Sequence, residues 1–191
     1  MLRSSGRTRA SRSLAGAAAR ARKVRVLLMD VDGVLTDGRV YLQSFPGDIA
    51  LEMKAFHSQD GAGLKLARLA GLRTGIITGR ESAATTRRAQ ENGMEFVYQG
   101  RDEKGSAYEE ILRRAQASDA EVAFIADDLP DLPVLRRVGL AVAVANAVPE
   151  VKGMAHLVTK RHGGEGAVRE VIEFILKTQG KWLSVTPKAR A

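Results

Sequence analysis

Residues 24–38 read VRVLLMDVDGVLTDG, and the rest of the chain makes sense around them. Val26-Leu27-Leu28-Met29 is a short apolar run of the length and kind that suits a strand buried on both faces. Asp30 and Asp32 come at its end; two residues apart, they point to one side while Val31 packs the other way. Gly33 then lets the chain turn away sharply. In open α/β sheets, ligands bind at the carboxyl ends of the strands. Two adjacent carboxylates there cost several kcal/mol if buried and unpaired. Magnesium, which prefers oxygen ligands, is the simplest neutralising partner. A bare Asp-x-Asp is also a common strand-end turn with solvated acids, so the case rests on what lies downstream.

A chain of 191 residues with 45% hydrophobic content is long enough for one domain with a sizeable core. It has no cysteine, which excludes disulfides and thiolate metal sites and is compatible with a reducing compartment. No apolar run approaches the roughly 20 residues of a membrane span. The net charge of +8 is local: residues 1–25 carry eight of the 30 basic residues and no acid, leaving 22 bases against 22 acids. The body is therefore neutral, and neither a specific nucleic-acid partner nor a membrane is expected for it. Residues 1–23, rich in Arg, Ser, Ala and Gly, read as a disordered basic leader. An inert leader, a transit peptide and a loose polyanion binder are all compatible with that composition. A cytoplasmic setting is expected, with organelle targeting as the alternative.

Residues 24–180 read as one domain, and 181–191 as a tail. Within 39–56, RVYLQSFPGDIALEMKAF, partial alternation on both sides of Pro46-Gly47-Asp48 predicts a hairpin where a strict βαβ series would have a helix. It would lie over the crevice as a flap or pair with other subunits through its edges. Beyond it, apolar runs at 72–78, 95–99, 121–126, 140–144 and 156–159 predict strands. They alternate with helices over 60–70, 81–92, 103–117, 132–138, 148–153 and 166–178, the first capped by Asp60. This alternation predicts an α/β fold, a Rossmann-like parallel sheet covered on both faces.

Later strand ends also carry polar groups. Thr78 closes the second core strand, Lys104 follows the third, and Asp127, Asp128 and Asp131 follow the run EVAFIA. A lone Thr before Gly is ordinarily a turn residue and a lone Lys a solvated one. The ordered set Asp-x-Asp, Thr, Lys, Asp-Asp on one sheet edge is far more specific than any member.

This set resembles the four-motif signature of the haloacid dehalogenase-like phosphohydrolases across residues 24–178. DVDGVLTDGRVYL, LEMKAFHSQDGAGLKLA, GIITGRES, VYQGRDEKGSAYEEIL, ADDLPDLPVLRRVGLAVAVANA and GGEGAVREVIEFIL are similar to the family of 3-deoxy-D-manno-octulosonate 8-phosphate (KDO 8-phosphate) phosphatases. The phosphatase domain of the sialic-acid pathway, acting on a nine-carbon sugar, is similar in the same motifs. The resemblance implies a capless build, an oligomerising hairpin flap, a homotetramer and a sugar-phosphate substrate. Asp30 would be the nucleophile and Asp32 the acid and base, with Thr78 and Lys104 orienting the phosphoryl group. Magnesium would lie on Asp30, the Asp32 carbonyl and Asp127. Asp128 or Asp131 would hold Lys104 or metal-bound waters. The acid-sugar end would meet His57, Ser58, Gln59, Asp60, Gly61, Lys65, Gly79, Arg80 and Arg88, beside Asp32 and Lys104. Ala126 stands where the family has glycine, and His57 and Gln59 where it tends to be more basic. A phospho-accepting receiver-like module is the rival reading; receivers, however, carry the acceptor Asp after a middle strand.

Overall fold

The computed structural model describes residues 9–46 and 49–186. Six parallel strands form the central sheet: β1 (Val26–Met29), β4 (Arg73–Ile77), β5 (Phe96–Tyr98), β6 (Val122–Ala126), β7 (Leu140–Ala143) and β8 (Leu157–Val158). Their order is β5-β4-β1-β6-β7-β8. Met29 of β1 lies opposite Ile76 on one side and Ile125 on the other. Leu27, Leu28 and Met29 are wholly buried, which is why this strand reads as an unbroken apolar run rather than an alternation. Truncating Leu28 to Ala would cost about 2–5 kcal/mol by the usual large-to-small rule.

From β1 the chain moves outward through β4 to β5, returns to β6 beside β1, and moves outward the other way to β8. Right-handed crossovers therefore put α2 (Ser58–Leu69) and α3 (Ala83–Glu91) on one face. The same rule puts α4 (Lys104–Ala115), α5 (Leu132–Leu135) and α6 (Pro149–Met154) on the other. α7 (Ala167–Thr178) packs on α2, burying Val168, Val171, Ile172, Ile175 and Leu176. The change of direction at β1 opens a crevice beyond the strand ends, where Asp30, Thr78 and Asp127 stand. Ala126, the departure from the family glycine, is the last residue of β6 and has no positive φ.

The expected hairpin is present as β2 (Tyr41–Phe45) and β3 (Ile49–Met53), an antiparallel pair separate from the main sheet. Gly47 and Asp48 of its turn lie outside the described residues. The N-terminal end of the chain departs from the expectation. Within the segment read as a disordered leader, Arg9–Ala21 form a helix, α1, that packs on α7, β7 and β8. Small side chains make this possible: Ala17 and Ala21 are buried, and Arg20 Nη1 donates to the Gly139 carbonyl at 2.9 Å. The Gln179 amide also donates to the Ala21 and Val24 carbonyls at 3.0 and 2.8 Å. In the segment read as a tail, Trp182–Val185 form a short helix, α8. Residues 1–8 and 187–191 of these two segments lie outside the described residues.

Candidate active site

Each acid of the opening motif is fixed by backbone. The Asp30 N–H donates to the Ile125 carbonyl at 3.1 Å, continuing the β1–β6 ladder by one residue. The turn after it is tied by Thr36, whose hydroxyl donates to the Val31 carbonyl at 3.3 Å and accepts from the Gly38 N–H at 3.2 Å. Gly33 has a φ of 90°, and a β-carbon there would collide with the Asp127 carboxylate. A glycine is thus required at this position both by the turn and by the closeness of the third acid.

Thr78 follows β4 directly. Its N–H donates to the Tyr98 carbonyl and its own carbonyl accepts from the Arg101 N–H, both at 3.0 Å, so the hydroxyl is held at the cavity edge from both sides. Lys104 is the first residue of α4, a helix capped by the Glu103 carboxylate accepting from the Gly105 and Ser106 N–H groups. Only 3% of the Lys104 side chain is exposed; its Nζ lies 2.6 Å from Asp131 Oδ1 and 2.9 Å from Asp30 Oδ1. Of the two acids named for this contact, Asp131 is the one that lies on Lys104. Asp128 is exposed and its Oδ1 accepts from the Leu129 N–H at 2.8 Å.

Asp30, Asp32, Thr78, Gly79, Arg80, Lys104 and Asp127 line one cavity of about 290 Å³, with Asp128, Arg101, Asp102 and Pro130 completing the wall. The first seven are expected site residues. Arg101 and Asp102 were not among them, although they stand in the same loop as Lys104. Lys54 was also missed, and its Nζ lies 2.5 Å from Asp32 Oδ1. The signal was available: strand alternation puts Glu52 and Lys54 on the face opposite Leu51 and Met53.

The electrostatics are those of an acid cluster short of positive charge. Burial, followed by the charges of Asp30, Asp131 and Asp128, pushes the Asp127 carboxyl up to about 7. Burial and the Asp30 charge push Asp131 up to about 6. Burial raises Asp30 as well, against the pull of Lys104. Burial works against the charge on Lys104, but the Asp30 and Asp131 carboxylates outweigh it and the ammonium is raised above its ordinary value.

Carboxylate oxygens of Asp30, Asp127 and Asp131 lie within 4.8 Å of one another. Asp127 Oδ1 is buried without a hydrogen-bond partner. Asp30 Oδ1 is in ion-pair range of Lys104 but not aligned with it as a hydrogen bond. Oxygen donors packed this closely, with partnerless lone pairs, fit a hard divalent cation such as magnesium. The Asp32 side chain is outside this cluster, turned towards Lys54 and Arg80.

Most of the remaining expected residues gather elsewhere, at the N-terminus of α2. His57 caps that helix, its Nδ1 accepting from the Gln59 N–H at 3.3 Å, which displaces the cap expected at Asp60. Arg88 Nη2 donates to the His57 carbonyl at 3.3 Å, and its guanidinium lies 5.7 Å from the Phe56 ring centre. Gly61 leaves room for that guanidinium. Asp60 is buried inside the first turn of α2 and accepts from the Arg169 N–H at 2.7 Å, serving as a cap for α7. Gln59 bonds Arg161, while Ser58 and Lys65 are exposed. His57, Ser58, Gln59, Asp60, Gly61, Lys65 and Arg88 are not among the residues that line the cavity.

Residues 62–172 match the family model of the haloacid dehalogenase-like hydrolases. The 3-deoxy-D-manno-octulosonate 8-phosphate phosphatase of Yersinia pestis is 44% identical over 162 residues, covering 85% of this chain and 84% of its own length. A probable phosphatase from Pseudomonas syringae pv. phaseolica superimposes with a TM-score of 0.84 at 43% identity, over 89% of this chain and 94% of its own. The Moraxella catarrhalis 3-deoxy-D-manno-octulosonate 8-phosphate phosphatase, crystallised with magnesium, phosphate and KDO, has a TM-score of 0.83 at 37% identity. That match covers 88% of this chain and 94% of the other.

Proposed function

This chain belongs to the 3-deoxy-D-manno-octulosonate 8-phosphate phosphatase family of haloacid dehalogenase-like hydrolases, and from that premise we propose that it hydrolyses KDO 8-phosphate to KDO and phosphate with magnesium as cofactor. The observation that carries the reading is the meeting of Asp30, Asp32, Thr78, Lys104 and Asp127, from four strand ends, around one cavity.

In this reading Asp30 attacks phosphorus, forming an acyl phosphate as the bond to the sugar oxygen breaks. Asp32 gives a proton to the departing sugar oxygen, then takes one from the water that attacks phosphorus and frees Asp30. The Lys104 ammonium, 2.9 Å from Asp30, favours the ionised nucleophile. Together with the Thr78 hydroxyl it holds the phosphoryl oxygens as charge develops. Asp30 and Asp127, with the Asp32 carbonyl, would hold magnesium, which would supply neutralisation of the charge that develops on the phosphoryl group. Arg80, at the cavity wall, faces the acid end of the sugar.

The same reading makes the protein a homotetramer assembled through the hairpin. A two-stranded hairpin is marginal in water. This one exposes Tyr41, Phe45, Leu51 and Met53, which the pairing register puts on one face, an apolar surface that a second copy would cover.

Phosphate release from a panel of eight- and nine-carbon acid-sugar phosphates, ranked by kcat/KM, tests the substrate, and KDO 8-phosphate is expected to rank first. Asp30→Asn is expected to abolish release from every member. A fully active Asp30→Asn protein would remove the proposed nucleophile, and a nine-carbon sugar ranking first would replace the substrate.

A further inference from the structure

Lys54 follows β3 at the foot of the hairpin, and only 4% of its side chain is exposed. Its ammonium lies 2.5 Å from Asp32 Oδ1 and 3.5 Å from Glu52 Oε1. Glu52 Oε2 in turn accepts from Arg80 Nη2 at 2.6 Å. The second oxygen of Asp32 is treated differently. Oδ2 is buried without a hydrogen-bond partner, and Arg80 Nε is 3.7 Å from it. One oxygen of this carboxylate is thus held by the hairpin, and the other is free on a residue that lines the cavity.

We infer that Lys54 is a positioning residue for phosphoryl transfer: by pinning Asp32 Oδ1 it leaves Oδ2 as the oxygen that passes the proton to the leaving group and takes one from water. This rests on the reading of Asp32 as acid and base given above. The chemistry of Asp32 is unchanged by it; what Lys54 supplies is the aim of the carboxylate, and such orientation is a large part of what separates a productive acid from a merely nearby one. A Lys54 that only neutralised Asp32 and Glu52 would support the fold without favouring one leaving group over another.

Leaving groups separate the two roles. A sugar oxygen needs a proton to depart, whereas 4-nitrophenolate does not. The first-turnover release of sugar from KDO 8-phosphate and of nitrophenol from 4-nitrophenyl phosphate is therefore measured in the wild type and in Lys54→Met. Sugar release is expected to slow at least tenfold while nitrophenol release stays within about threefold and KM for the sugar phosphate is unchanged. Ethylammonium in the buffer is expected to restore part of the lost sugar release to Lys54→Met. Equal loss with both substrates, a rise in KM alone, or no change would overturn the inference. If Lys54→Met does not fold, Lys54→Gln reads the same ratio, and a sugar-to-nitrophenol ratio equal to that of the wild type overturns it. Failure of the wild type to act on either substrate would instead overturn the phosphatase reading.

Discussion

The carboxyl of Asp127 reports the charge balance of the cavity. It has an ordinary value of 3.8 and is pushed up to about 7 in the fold, chiefly by burial and then by neighbouring acids. A carboxyl raised by folding makes the native state bind more protons than the unfolded chain, so stability falls as pH rises. The contribution is intact below 3.8 and is lost as pH climbs towards 7. Asp131, pushed to about 6, adds a contribution of the same sign over a narrower window. Metal-free protein is therefore expected to show a falling melting temperature across that range. Magnesium, which binds the ionised carboxylates, is expected to raise Tm more at pH ~7.5 than at pH ~5. Differential scanning calorimetry at the two pH values, with magnesium or with EDTA, measures this; an equal gain at both would separate the cation from these acids.

At the scale of elements, α1 is the test of how the sheet edge is closed. Ala21 has no exposed surface and sits where α1 reaches Gln179 and the loop into β1. Ala21→Asp buries a charge with no partner and is expected to cost several kcal/mol. In a chain of this size each kcal/mol lowers Tm by about 2–4 °C, which a thermal melt would register. An unchanged Tm would mean that α1 adds nothing to the fold. The helix was not legible in composition, because Arg, Ser and Ala look like a solvated leader until a neighbouring surface accepts the alanines. The strands were legible for the opposite reason: buried on both faces, they need apolar residues throughout, and runs such as VLLM and VAFIA announce them. The polar set at their ends was legible because parallel strands send all their carboxyl ends to one edge. Asp60 shows the limit. Its carboxylate is committed to the N-terminus of α7, a partner more than a hundred residues away in sequence that no local pattern names. Lys54 lay between these cases: alternation fixes its face, but only the seating of the hairpin brings it to Asp32.

For the whole molecule, the hairpin is where assembly and chemistry meet, with an apolar surface outward and Lys54 at its foot. Leu51, 49% exposed on β3, is the residue to change. Leu51→Asp places a charge in the surface proposed to pair with a second copy, and light scattering is expected to show dissociation into smaller species. A tetramer that survives this change would have to be built on another face. The sheet order has a further consequence, for the time at which the enzyme comes into being. β1 acquires its β6 neighbour only after most of the chain has been made, so a growing polypeptide on the ribosome holds Asp30 long before Asp127 exists. Such a nascent chain has no complete cation cage and no phosphoryl pocket. Competence should arrive abruptly and late, once the sixth strand has left the exit tunnel and slid in beside the first.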